Sequence, residues 1–160
     1  MVHFDENGHL YPYEIIKLGL LEFESLFVEN LPDTSHRKHL FGEYLKFVDE
    51  LRIFFPISFV QWVGGSFITT KELPGDIDVV TFLPYDTLVR KAVSVQHIIQ
   101  SAKINFSVDA AFCPVCKWNH RFYQESKSRE AYWLRLYTHA RSDMSGKKQP
   151  KGLIKIDFQP

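Results

Sequence analysis

The stretch that most restricts how this chain can fold is "WVGGSFITTKELPGDIDVVTF", Trp62 to Phe82. Two runs rich in β-branched and aromatic residues flank a glycine pair and a polar loop ending in Pro74-Gly75, the pattern of two strands joined by a turn. The first strand is expected at Ile57–Val63, running into Gly64 and Gly65, and the second at Asp76–Leu83. Side chains alternate along a strand, so Asp76 and Asp78 project from one face while Ile77, Val79 and Phe82 alternate with them or fill the core around them. Carboxylates held close together raise one another's pKa unless a cation neutralises them, and Mg2+ is the hard, oxygen-seeking cation that suits them. Upstream, Gly64-Gly65 lets the backbone turn tightly and approach a ligand. Ser66 adds a hydroxyl and an N–H where a short helix is expected to begin, an arrangement suited to phosphate oxygens. Thr69, Thr70 and Lys71 in the same loop are further candidates to touch phosphates. A phosphate cradle beside a metal-binding carboxylate pair is what phosphoryl or nucleotidyl transfer requires.

The rest of the chain supplies a setting for this motif. Its 160 residues suit one domain, since a chain of that length can bury roughly 70% of its unfolded surface. "FDENGHL" carries an Asn-Gly turn, which predicts a small hairpin or arm over residues 2–11. Dense apolar residues from Glu14 to Asn30 predict one or two short helices. A longer helix follows, capped by Thr34 or Ser35, carried by Leu40, Phe41, Tyr44, Leu45, Phe47, Val48 and Leu51, and ended by Pro56. Pro84 and Asp86 open another helix to about Lys103, a third strand is expected at about Ile104–Phe112, and Trp118–Arg141 reads as an aromatic-faced helix serving as core or partner surface. After the loop "SDMSGKKQPKG", "GLIKIDF" forms a fourth strand. The order is helices, then β-β-α-β-α-β: a single-domain α/β (α+β) chain with one mixed sheet flanked by helices.

Charge and leader signals narrow the function. Lys plus Arg and Asp plus Glu both number 19, so no global field draws the chain onto nucleic acid or a membrane. The N-terminus lacks the basic-then-apolar plan of a signal peptide, and no apolar run is long enough to span a bilayer, so a cytoplasmic setting is expected. Cys113 and Cys116, with His120 and His139, form half of a zinc motif and read first as two reduced thiols. Lys147, Lys148, Lys151 and Lys155 read as a solvated loop that can also meet a phosphate or an RNA backbone. Arg90 and His97 imitate the spacing of a family of helical ribonucleases but fall on a helix between sheet strands.

Gly64-Gly65-Ser66, a nine-residue spacer, then Asp76-Ile77-Asp78 on an apolar strand resembles the signature of the DNA polymerase beta-like nucleotidyltransferase superfamily. That superfamily includes poly(A) polymerases, CCA-adding enzymes, aminoglycoside nucleotidyltransferases and the minimal enzymes of toxin–antitoxin pairs. The likeness is close over about residues 57–112. More loosely, "FDENGHL", "PGDIDVV" and "KGLIKIDF" resemble a small, largely uncharacterised bacterial family within it. The resemblance implies a nucleotidyltransferase-type sheet. It implies two Mg2+ ions held by Asp76, Asp78 and a third carboxylate, Asp109 of "FSVDAAF", with Asp157 in reserve. It also implies a nucleoside triphosphate, ATP first, whose outgoing pyrophosphate meets Ser66 and the backbone of Gly64, Gly65 and Phe67. The acceptor is a hydroxyl of a protein, an RNA end or a small molecule, and Asp109 is a candidate to take its proton. "GGSF" stands where the minimal enzymes carry Gly-Ser-Arg, and the chain is short for a separate base-gripping domain, which leaves room for a protein partner or a homodimer. The alternative is a catalytically silent binding or regulatory protein, antitoxin-like or defence-associated, that acts through a partner.

Overall fold

The computed structural model describes residues 1–142 and 144–160. The chain begins in an antiparallel hairpin of β1 (His3–Phe4) and β2 (Leu10–Tyr11), where residues 2–11 predicted one. Its turn requires glycine, because Gly8 adopts a φ of +74°. The segment from Glu14 is not wholly helical. Ile15–Lys17 (β3) pairs in parallel with Leu153–Lys155 of the last strand, β7 (Leu153–Phe158), a partnership that local apolar density cannot reveal. Helical structure starts only at α1 (Leu20–Glu24) and widens into a π-helical turn over Ser25–Glu29.

Helix α2 (Thr34–Phe54) buries Arg37, Leu40, Phe41, Tyr44, Phe47, Val48 and Leu51, a stripe with the helical repeat, and stops before Pro56. Its N-cap is Asp33 at a left-handed φ of 59°, without a side-chain cap bond. Neither Thr34 nor Ser35, the two expected caps, takes that position, and Thr34 instead donates its hydroxyl back to Leu31 O. Strands β4 (Phe59–Gly64) and β5 (Ile77–Pro84) pair antiparallel, and β5 pairs in parallel with β6 (Val108–Val115). The helix between β5 and β6 divides at Lys91 into α3 (Tyr85–Arg90) and α4 (Ala92–Phe106). Helix α4 continues through Ile104 and Phe106, where a strand was expected. Ser107, at a left-handed φ of 51°, then reverses the chain. The aromatic helix, α5, is shorter than its sequence pattern, spanning Tyr123–Tyr137.

The sheet order is β3-β7-β4-β5-β6, mixed in direction, in a single α+β domain. One face, through Phe59, Val63, Ile77, Val79, Leu83, Ile154, Ile156 and Phe158, packs on Phe23, Phe27, Tyr44 and Phe47 in the main core. Each such side chain contributes about 1.5–3 kcal/mol on burial. Polar groups on this face satisfy one another: Tyr44 Oη donates to Gln61 Oε1 at 2.7 Å and Gln61 Nε2 to Thr81 Oγ1 at 3.0 Å. The opposite face carries a smaller cluster of Trp62, Val80, Cys113, Leu153 and Tyr137, the last residue of α5. Phe82 lies here too, packed on Trp62 at 4.6 Å between ring centroids. By alternation Asp78 and Asp109 belong to this second face, beyond the end of α5. Trp118 stays outside either cluster and is 82% exposed. Among the described residues, no helix is long and apolar enough to cross a membrane.

Candidate active site

A cleft of about 990 Å³ opens at the Asp78 end of the sheet. Its floor is Asp78 and Asp109, which sit opposite each other in the parallel register of β5 and β6, and Asp76 stands just before β5. One wall is the loop from Gly65 to Lys71. The others are the Asn7–His9 hairpin tip, the C-terminal turn of α5 and Lys151, which precedes β7.

The turn after β4 explains the glycine pair. Gly64 lies opposite Asp78 on β5, and a Cβ there would fall 2.5 Å from the ring of Tyr137. At Gly65, with φ +68°, a Cβ would fall 1.6 Å from Asp78 Oδ2. The carboxylate thus lies directly against the backbone of the turn, an approach that only glycine permits. No helix begins at Ser66; residues 65–68 form a turn, closed by Thr69 N–H and Thr69 Oγ1 donating to Ser66 O at 3.1 and 2.8 Å. The hairpin tip docks on this loop through Thr70 N–H to Gly8 O at 3.0 Å, and a Cβ on Gly8 would collide with Thr70 Oγ1.

Burial, followed by repulsion from Asp76 and Asp109, pushes the Asp78 carboxyl up to about 6, while Lys151 and Arg141 draw it down. Lys151 is only 4% exposed; it donates to Gly65 O at 2.8 Å, and burial pushes its ammonium down to about 8 against the pull of Asp78. Burial, and then the same three aspartates, raise the Tyr137 phenol. Lys71, Lys103, Arg135, Arg141, Lys148 and Lys151 line the cleft around the three carboxylates, so among the described residues this neutral chain gathers six cations against three acids. Such a surplus suits a polyanion.

Of the residues singled out in the sequence, Asp76, Asp78, Asp109, Gly65, Ser66, Thr69, Thr70 and Lys71 meet in the cleft. Gly64 is buried beneath Tyr137. The Phe67 side chain is fully buried and stacks on Phe23 at 5.9 Å, so only its backbone belongs to the loop. Asp157 lies towards the other end of β7, opposite Val60, and pairs with Lys17 at 2.6 Å and Lys155 at 3.6 Å. It is not a third carboxylate of the cleft. Of the four lysines read as a solvated loop, Lys151 is buried and Lys148 reaches the cleft. Arg90 and His97 fall on separate helices, α3 and α4. Cys113 and Cys116 are buried free thiols, and the His120 ring packs at a tilt against Tyr85 and Phe122.

Among the described residues, no three His, Cys, Asp or Glu side chains are grouped to hold a metal as they stand. The donor chemistry nevertheless fits a hard divalent cation: three carboxylates in one cleft, one of them held at a raised pKa by burial and then by the other two.

Arg37 belongs to none of the motifs in the sequence. It lies on the buried stripe of α2, three residues before Leu40, and it binds the backbone of the cleft loop from below. An arginine in phase with an apolar stripe is the signal that could have found it.

No curated protein and no solved structure matches the chain. The pattern of one family covers residues 2–157, nearly the whole sequence, and the chain belongs to that family, the family of unknown function DUF6932.

Proposed function

We propose that this chain is a metal-dependent nucleotidyltransferase that moves a nucleoside monophosphate from a nucleoside triphosphate, ATP first, to a hydroxyl acceptor. One observation carries the reading. Gly65 brings the turn after β4 against Asp78, and Asp78 lies in register with Asp109 inside a cleft that gathers six cations. The order of parts also supports a nucleotidyltransferase-type fold: a Gly-Ser turn between antiparallel strands, Asp-x-Asp on the second, and a further aspartate on the adjacent parallel strand.

Asp76, Asp78 and Asp109 would hold the Mg2+ ions. Bound there, the metal would offset charge developing on the transferring phosphoryl group and lower the pKa of the acceptor hydroxyl. Ser66 and the loop N–H groups bind the outgoing pyrophosphate, and Lys71, Arg141 and Lys151 offset its charge. Asp109, the exposed carboxylate of the three, is open to take the acceptor's proton. The acceptor oxygen bonds to the α-phosphorus, the bond from that phosphorus to the bridging oxygen breaks, and pyrophosphate leaves.

The test is pyrophosphate release and label transfer from α-labelled ATP with Mg2+, offered protein, RNA and small-molecule hydroxyls. Wild type should release pyrophosphate and Asp76→Asn/Asp78→Asn should not. Equal release by both proteins would overturn the reading and favour the silent binding module.

A further inference from the structure

We propose that two buried cations, Arg37 and Lys151, are positioning residues that hold the cleft loop in its phosphate-ready shape by binding its backbone carbonyls at alternate residues. Lys151 Nζ donates to Gly65 O at 2.8 Å. Arg37 Nη1 donates to Phe67 O at 2.7 Å, and Arg37 Nη2 to Thr69 O at 3.0 Å and Lys71 O at 2.8 Å. Carbonyls 65, 67, 69 and 71 therefore all turn onto cations from two distant parts of the chain, α2 and the segment before β7. The remaining Nη1 donor of Arg37 reaches Phe27 O at 2.9 Å and ties the loop to the π-helical turn.

Geometry gives this arrangement a function. In a trans peptide the N–H points opposite to the carbonyl. Turning these carbonyls inward therefore turns the N–H groups of Ser66, Ile68, Thr70 and Glu72 away from the cations. The Thr70 N–H follows this rule, meeting Gly8 O on the hairpin that lines the cleft. Of the residues so turned, Ser66 and Thr70 line the cleft, and Gly8 O already takes the Thr70 N–H, so it is the Ser66 N–H and hydroxyl that the fixed loop keeps for anionic oxygens. Holding them in place beforehand removes the ordering penalty from binding.

Packing alone does not account for Arg37. It is 1% exposed, and burial lowers its pKa, opposed by Asp33. Among the described residues no salt bridge to it is formed, so its four carbonyl bonds, with the Phe67 ring 5.2 Å away, are what offset a large desolvation penalty. An apolar side chain on the same stripe would close the core without that penalty, but would leave the loop carbonyls unheld.

The inference rests on the phosphate reading of the cleft, and its test separates the two. Arg37 does not line the cleft, so any effect it has on a ligand must act through the loop. Arg37→Lys keeps the charge and loses the two-pronged fork, and Arg37→Met removes both. Each is studied well below its own unfolding temperature. Hydrogen exchange is followed at the Thr69, Thr70 and Lys71 amides, all hydrogen-bonded within the loop or to the hairpin, with the β4–β5 amides as reference. Magnesium pyrophosphate is titrated into the same proteins.

Loop exchange should rise at least about tenfold in Arg37→Lys while the reference amides hold, and pyrophosphate should bind about tenfold more weakly. In turnover, KM for the triphosphate should rise by a similar factor. A folded Arg37→Lys with unchanged loop exchange would overturn the proposal whether or not the wild type binds pyrophosphate. Faster loop exchange with unchanged pyrophosphate affinity would overturn it too, leaving Arg37 a merely structural residue. Faster exchange in a protein whose wild type ignores pyrophosphate would uphold the positioning and remove the phosphate reading.

Discussion

Replacing Asp78 by Asn should make the ligand-free protein more stable at neutral pH while abolishing its activity. Burial, with Asp76 and Asp109 beside it, pushes this carboxyl from 3.8 up to about 6. A raised acid pKa means that the folded chain holds the proton more tightly than the unfolded chain. The associated stability is complete below about pH 4 and is lost as pH rises through about 6. The interval from 3.8 to about 6 corresponds to roughly 3 kcal/mol at full strength. Solvent reaching the half-buried group in its open cleft trims this to about 1–2 kcal/mol. Asn keeps the shape of the side chain against Gly65 and never charges. For a domain of this size, Asp78→Asn should therefore melt about 2–6 °C higher near pH 8 and match wild type near pH 4. Thermal unfolding with a metal chelator present, monitored by circular dichroism across that pH range, reads the difference. A less stable Asp78→Asn at pH 8, or a difference that ignores pH, would refute the reasoning.

Three further outcomes follow from the same geometry. Gly65→Ala, forced to a φ of +68° with its Cβ on Asp78 Oδ2, should lose about 1–3 kcal/mol of stability and all magnesium-dependent nucleotide binding, read by denaturant titration and calorimetry. The depressed pKa of Lys151, about 8, means that its contribution to stability is present above about pH 10.5 and lost as pH falls through about 8. Its charged form serves the phosphates, so nucleotide affinity should weaken as pH rises past about 8, and Lys151→Met should flatten that profile. Tyr44→Phe breaks the buried chain from Tyr44 through Gln61 to Thr81 and should cost about 1–2 kcal/mol in urea unfolding, with nucleotide affinity unchanged because the chain lies on the other face of the sheet.

Much of this site was legible in the sequence because its signals are local. A glycine pair, a polar loop and alternating aspartates on an apolar strand each follow from turn chemistry and a two-residue period, and β4 and β5 lie close to where those signals put them. What was illegible depends on partners distant in the chain. Ile15–Lys17 is a strand only because Leu153–Lys155 lies beside it. Lys151 is indistinguishable from its neighbouring lysines until β7 places it beneath the turn at Gly65. Ile104 and Phe106 suit strand or helix equally, and Ser107 decides by reversing the chain after them. Arg37 is the intermediate case: its phase with Leu40, Phe41 and Tyr44 marks it as buried, but only the folded loop reveals which carbonyls it holds.

The central claim, a magnesium-nucleotide site built on Asp76 and Asp78, is tested most directly by isothermal titration of ATP with Mg2+ into wild type and into Asp76→Ala/Asp78→Ala, each first shown to be folded. Saturable, magnesium-dependent heat in the wild type that disappears in the double variant is the predicted result. No binding by the wild type, or equal binding by both proteins, would contradict it.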